Sequence, residues 1–151
     1  MTVGLAVAAL GLDVLRIRSK TVGELMARLV PVYRENEWHQ ISGGVWQMVG
    51  YAVAARFAPP VGAAAMLASA FADPAASLVG SRFGRHDGKS WQGSAACFLV
   101  VLVMVAVMGA SPIASVGAAA AGTAVERLAR RPFDDNLLLA PATAFTLLLL
   151  S

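Results

Sequence analysis

Asp73 is the residue of this chain whose setting most demands a chemical explanation. It sits inside the apolar run AAAMLASAFADPAASLVG, directly before Pro74 and nine residues ahead of Arg82. Nine residues of regular helix span about 13 Å, which places the carboxylate well inside the apolar segment. An acid at that depth is costly and marks a functional site by default, facing a water-filled cavity, a cation or a basic partner. The plain alternative is a neutral or paired structural aspartate. Ser77, Gly80 and Gly84 follow four, seven and eleven residues on. That helical spacing predicts one face of small side chains leading from the acid to the loop GSRFGRHDGKS. The loop carries Arg82, Arg85 and Lys89 beside three glycines that allow close backbone approach. Ser90 is placed to cap the next helix, whose free N–H groups and positive dipole end attract anions. Cations, glycines and a helix N-terminus together suit a phosphate cradle, although a basic loop near anionic headgroups accounts for the same charges. The stretch GRHDGKS is one residue short of the P-loop spacing and joins two apolar segments, which excludes a P-loop NTPase.

A second polar cluster is AVERLARRPFDDN, with Glu126 closing one apolar segment and Asp134, Asp135 and Asn136 opening the next. Acids before a helix start are ordinary capping and dipole partners, and Glu126 could simply pair with Arg130 at i+4. The functional reading is a divalent-cation site shared with Asp73, because oxygen-only carboxylate and amide ligands suit Mg²⁺ holding a nucleoside triphosphate. No Cys/His set suits zinc, His39 and His86 are isolated loop residues, and no nucleophile motif such as GxSxG occurs.

The elements that must position these residues are strongly apolar. The chain has 151 residues, of which 58% are hydrophobic and 14% charged, and its mean hydropathy is +0.66. Twenty-one charges are too few to cover a soluble helical protein. The expected class is an all-α integral membrane protein: a single domain over 1–151, built as a bundle of about six hydrophobic helices, some short, with three basic cytoplasmic loops. The segments are Val3–Leu15, Ile41–Ala58, Val61–Gly80, Trp91–Gly109, Pro112–Val125 and Leu137–Leu150. A membrane crossing takes about 20 residues, which the second, third and fourth meet, while the others need flanking residues. The first lacks a basic region before it and carries Asp13, so a membrane helix fits it better than a signal peptide.

Eleven of the twelve Lys and Arg residues fall in 16–40, 81–90 and 126–136, every second connection, and Arg56 alone lies elsewhere. The positive-inside rule makes those three connections cytoplasmic, and if the cell is prokaryotic the membrane is the cytoplasmic one. Scattered in this way, the basic residues do not form a nucleic-acid-binding face. Ala58-Pro59-Pro60 and Ser111-Pro112 read as tight turns on the opposite side. Pro74 is expected to kink or break its helix, and the small residues of the third and fifth segments place them at the packed centre. Cys97, inside an apolar stretch, is a small packing residue with no partner for a disulfide. Nothing in the sequence sets an oligomeric state.

With these residues in hand, the run DPAASLVGSRFGRHDGKSWQG, a long helix and then VERL…DDNLLLAP resembles the CTP-dependent lipid-alcohol kinases, the dolichol, phytol and yeast-type diacylglycerol kinases. The matching positions are Asp73, Ala76, Gly80, Gly84, Lys89, Ser90, Gly93, Glu126, Asp134, Asp135 and Asn136, with Arg34, Glu35, Glu37 and Gly43 upstream. The likeness runs from about Asp13 to the end of the sequence. Gln92 stands where the family usually has Glu, and only Val3–Leu15 precedes the match where the family has further hydrophobic helices.

The resemblance implies transfer of the γ-phosphate of CTP to a membrane lipid alcohol with Mg²⁺ as cofactor. Phosphoryl transfer needs positioning and cationic charge more than a covalent nucleophile. Asp73 and Lys89 are then the expected catalytic residues. Ser77, Gly80, Arg82, Gly84, Arg85, Lys89, Ser90 and Gly93 would surround the nucleotide phosphates, and Asp73, Glu126, Asp134, Asp135 and Asn136 would hold the metal. Two rivals are a CTP:phosphatidate cytidylyltransferase-like enzyme, which would release pyrophosphate, and a non-catalytic membrane relative that uses Asp73 for ion passage.

Overall fold

The computed structural model describes residues 2–29, 39–83, 89–129 and 134–151, and every regular element among them is an α-helix. In chain order these are α1 (Thr2–Arg18), α2 (Lys20–Leu29), α3 (Gly43–Ala54), α4 (Pro59–Phe83), α5 (Trp91–Val107), α6 (Pro112–Leu128) and α7 (Asp135–Leu150). Six of the seven coincide with the six apolar segments. The additional one, α2, corrects the expectation of a loop over 16–40. Its sequence KTVGELMARL carries Val22, Leu25, Met26 and Leu29 among Lys20, Glu24 and Arg28. Average hydropathy hides such a helix and only its 3.6-residue period reveals it.

Helix boundaries follow local chemistry. Ser90 Oγ accepts from Gly93 N at 3.0 Å and Ser111 Oγ from Ala114 N at 3.2 Å, so each serine satisfies a first-turn amide. Pro112 then occupies the first turn of α6, where no amide is needed. Gly109, at φ +91°, makes the turn between α5 and α6, a conformation that L side chains rarely adopt. The second segment is shorter than expected. Ser42 and the turn after Ala54 confine α3 to 12 residues. Among the described helices α4, with 25 residues, is the one long and apolar enough to cross a membrane; its length is about 38 Å. Helices α5 and α7 are apolar but shorter. Pro74 does not break α4, which is helical on both sides of it, with the ring on the exposed face.

Four helices close a ring in which α4 packs on α5 and α7, and α6 on α5 and α7, while α3 lies on α7, α1 on α3 and α2 on α1. Small residues recur every fourth position on the facing sides. These are Ala64, Ala68, Ala72 and Ala76 on α4, Ala114, Ala118 and Gly122 on α6, and Gly93, Cys97, Val101 and Val105 on α5, all buried. Such stripes let helix backbones approach closely. A Cβ on Gly93 would lie 2.8 Å from Ala76 O, and one on Gly50 would lie 2.6 Å from Leu137 O. The second contact has a specific cause. Pro141, inside α7, lacks the N–H that would bond Leu137 O, and α3 docks at the carbonyl so freed.

Candidate functional site

The charged residues of the ring gather at one end because consecutive helices alternate in direction. There the C-termini of α4 and α6 meet the N-termini of α5 and α7. Lys89, just before α5, reaches Asp135 at the start of α7, Nζ to Oδ2 2.6 Å. Ser94, one turn into α5, donates to Glu126 Oε2 on α6 at 3.0 Å and accepts from Arg127 Nη1 at 3.3 Å. Glu126 is buried because it continues the Ala114–Ala118–Gly122 stripe by four more residues. The i+4 partner considered for it, Arg130, lies outside the described residues.

Asp134 caps α7. Its Oδ1 accepts from Asn136 N at 3.0 Å and Asn136 Nδ2 at 2.9 Å, while Asn136 N also reaches Asp135 Oδ1 at 3.1 Å. Burial, and then the hydrogen bond it shares with Asp135, pushes the Asp134 carboxyl above the usual range. Burial acts in the same direction on Asp135, but its hydrogen bonds with Asp134 and Lys89 and the Lys89 charge outweigh it, so that carboxyl falls. Two neighbouring carboxyls thus share their charge unequally, with the lysine ammonium on one of them.

Asp73 stands deeper, half-buried on α4. The carboxylates of Asp73, Glu126 and Asp135 stand on three different helices, α4, α6 and α7. They do not form one cage. Among the described residues no three His, Cys, Asp or Glu side chains assemble as a metal-holding group. In place of the five-residue cluster, Glu126 is tied to Ser94, Asp135 to Lys89, and Asp134 to Asn136. Mg²⁺, however, is commonly held by one or two carboxylates together with substrate phosphates. The adjacent, oxygen-only pair Asp134 and Asp135 fits that smaller requirement.

The face expected to run clear from Asp73 through Ser77 and Gly80 is interrupted at Gly80, where α5 packs against α4. A Cβ on Gly80 would meet Ser90 Oγ at 3.2 Å, and Gly80 and Gly93 face each other across the helix contact. Both glycines thus serve close packing of α4 on α5, and the Gly93 amide is taken by Ser90. Ser77 and Arg82 are exposed on α4. Gly84, Arg85, His86, Arg131 and the upstream Arg34, Glu35 and Glu37 lie outside the described residues.

Sequence reasoning missed two arrangements. Trp91 is 74% exposed with the Arg127 guanidinium 3.6 Å from its ring centroid, a pairing across 36 residues that no spacing rule shows. At the end of α1, buried Asp13 and Arg16 pair at 2.5 Å. They also hold the chain entering α3, Asp13 Oδ2 accepting from Ser42 N at 2.7 Å and Arg16 Nη2 donating to Gln40 O at 2.8 Å. The i, i+3 spacing of that pair was visible, but its burial was not. A cavity of about 160 Å³ opens at the opposite end of the ring, lined by Val61, Met108, Ala110 and Leu147 among others, remote from the charged groups.

No protein-family model, curated protein or solved structure matches the chain.

Proposed function

We propose that this chain is a membrane-embedded phosphotransferase that moves the γ-phosphoryl group of a nucleoside triphosphate, CTP by the resemblance of its motifs, to a lipid alcohol such as a polyprenol, phytol or diacylglycerol. The observation that carries this reading is the cluster of Lys89, Asp134, Asp135, Asn136, Ser94 and Glu126 at one end of a ring whose core is mostly apolar, with Asp73 deeper on α4. Membrane embedding is supported by the outer surface. Leu67, Phe71 and Leu78 on α4, Leu99, Val103 and Val107 on α5, and Phe145, Leu148 and Leu149 on α7 are all exposed. A water-soluble bundle would expose a continuous apolar belt of this kind only at high cost, whereas lipid solvates it.

In this reading Lys89 and Arg82, with Arg85, bind the phosphates. Asp134 and Asp135 would hold Mg²⁺ jointly with those phosphates. The metal supplies neutralisation of the charge on the transferring group. Asp73, at lipid depth on α4, accepts the hydroxyl proton as the lipid oxygen bonds the γ-phosphorus and the bond to the bridging oxygen breaks, releasing the nucleoside diphosphate. Glu126 and Ser94 keep α5 and α6 in register through their hydrogen bond.

The test is incubation of membranes holding the protein with γ-labelled and α-labelled CTP or ATP and a panel of prenols and diacylglycerol. Label from the γ position alone is expected on the lipid. Asp73→Asn, which keeps shape but removes the charge, should abolish it without lowering the melting temperature. Lipid carrying the α label would mean nucleotidyl transfer instead. An active Asp73→Asn protein would remove the aspartate from the chemistry.

A further inference from the structure

We propose that Trp91 is a stacking platform for the base of the nucleoside triphosphate, an inference that rests on the nucleotide-dependent reading above. Three observations place it in that role. The indole is 74% exposed although it sits at the start of a packed helix. One of its faces is covered by the Arg127 guanidinium at 3.6 Å from the ring centroid. Finally, the backbone that carries it starts two residues after Lys89, which faces the Asp134 and Asp135 end of α7.

The arrangement is pre-organised. Arg127 donates to Ser94 Oγ at 3.3 Å, and Ser94 is itself held on buried Glu126, so the guanidinium is anchored in the ring and fixes the indole plane. A cation on one face of an indole leaves the other face for a second flat group. The flat group that accompanies phosphates at a cationic helix start is a nucleobase. Stacking on an aromatic is sequence-tolerant because every base has a π-face. Trp91 therefore contributes affinity for the nucleoside half of the ligand and does not discriminate cytosine from adenine. An indole that merely anchored the helix in the headgroup region, as interfacial tryptophans do, would not distinguish a nucleotide from bare phosphates.

That difference defines the experiment. The full chain in nanodiscs of neutral phosphatidylcholine is titrated calorimetrically with CTP, ATP and inorganic tripolyphosphate, each with Mg²⁺. Wild-type protein should bind both nucleotides more tightly than tripolyphosphate. Trp91→Leu should weaken CTP and ATP alike by about 10-fold and leave tripolyphosphate unchanged. Trp91→Tyr, which keeps both a ring and an interfacial side chain, should restore nucleotide affinity. Unchanged CTP affinity in Trp91→Leu overturns the platform while leaving nucleotide binding in place. An equal loss for CTP and tripolyphosphate also overturns it, assigning Trp91 to helix anchoring. Wild-type protein that binds neither ligand removes the nucleotide-dependent reading, and the platform with it.

Discussion

The Asp13–Arg16 pair offers the sharpest test of how this fold is held. Both residues are nearly inaccessible, at 2% and 4% exposure, and their 2.5 Å contact is supplemented by the Ser42 amide on Asp13 and the Gln40 carbonyl on Arg16. Replacing Arg16 with Met strands a buried carboxylate with the Ser42 amide as its remaining described partner. Replacing Asp13 with Leu takes the buried carboxylate away from the Arg16 guanidinium, which keeps its bond to the Gln40 carbonyl. Removing one member of a buried pair costs about 3–5 kcal/mol, whereas replacing both by apolar residues of similar volume is often neutral. The double variant Asp13→Leu/Arg16→Met still takes the carboxylate from the buried Ser42 N–H, a loss of about 1–3 kcal/mol, and one bond from the half-buried Gln40 C=O, a loss of about 1 kcal/mol. The double should therefore cost less than the sum of the singles by at least about 2 kcal/mol. Reversible unfolding in mixed detergent micelles, followed by circular dichroism, gives the four free energies of the cycle. Singles whose costs add to the double within about 0.5 kcal/mol, the tolerance for independent sites, would refute the buried-pair argument.

Gly50→Ala and Gly93→Ala should each lower stability by about 1–3 kcal/mol, since their new methyl groups meet backbone carbonyls at 2.6 and 2.8 Å. Gly11→Ala, with nothing within 4 Å, should be neutral or slightly stabilising in the same unfolding assay. Lys89→Ala and Arg85→Ala should raise the apparent KM for nucleotide roughly 10- to 100-fold, the loss of one charge-assisted bond each. Equal kinetics in both variants and wild type would assign this region to lipid headgroups. Cysteines placed at Gly88→Cys and Pro60→Cys should label from opposite sides of the membrane, with little background because Cys97 is buried. Labelling of both from one side would refute the alternating topology. Thr143→Val should raise the melting temperature by a few degrees, because Thr143 Oγ1 is fully buried without a hydrogen-bond partner among the described residues.

Much of the architecture is written in local sequence. Runs of apolar residues broken by Ser90, Gly109 and Ser111-Pro112 mark where helices start and stop, since caps and turns depend on neighbours a few residues away. The four-residue spacing of Ala114, Ala118 and Gly122 already carries Glu126 onto the buried face of α6, because helical periodicity alone decides which side a residue takes. Helix α2 was legible only through that same periodicity. Which helix meets which was not legible, because contacts between distant segments depend on shape rather than on composition. Only the tertiary structure decides that Lys89 reaches Asp135 and Ser94 reaches Glu126. It alone puts Arg127 on Trp91, and places Gly80 and Gly93 against each other where the sequence suggested an open phosphate path. The same charged residues that sequence spacing singles out as chemical are thus sorted by packing into pairs, caps and packing contacts, because a buried charge must find its partner wherever the helices bring one near.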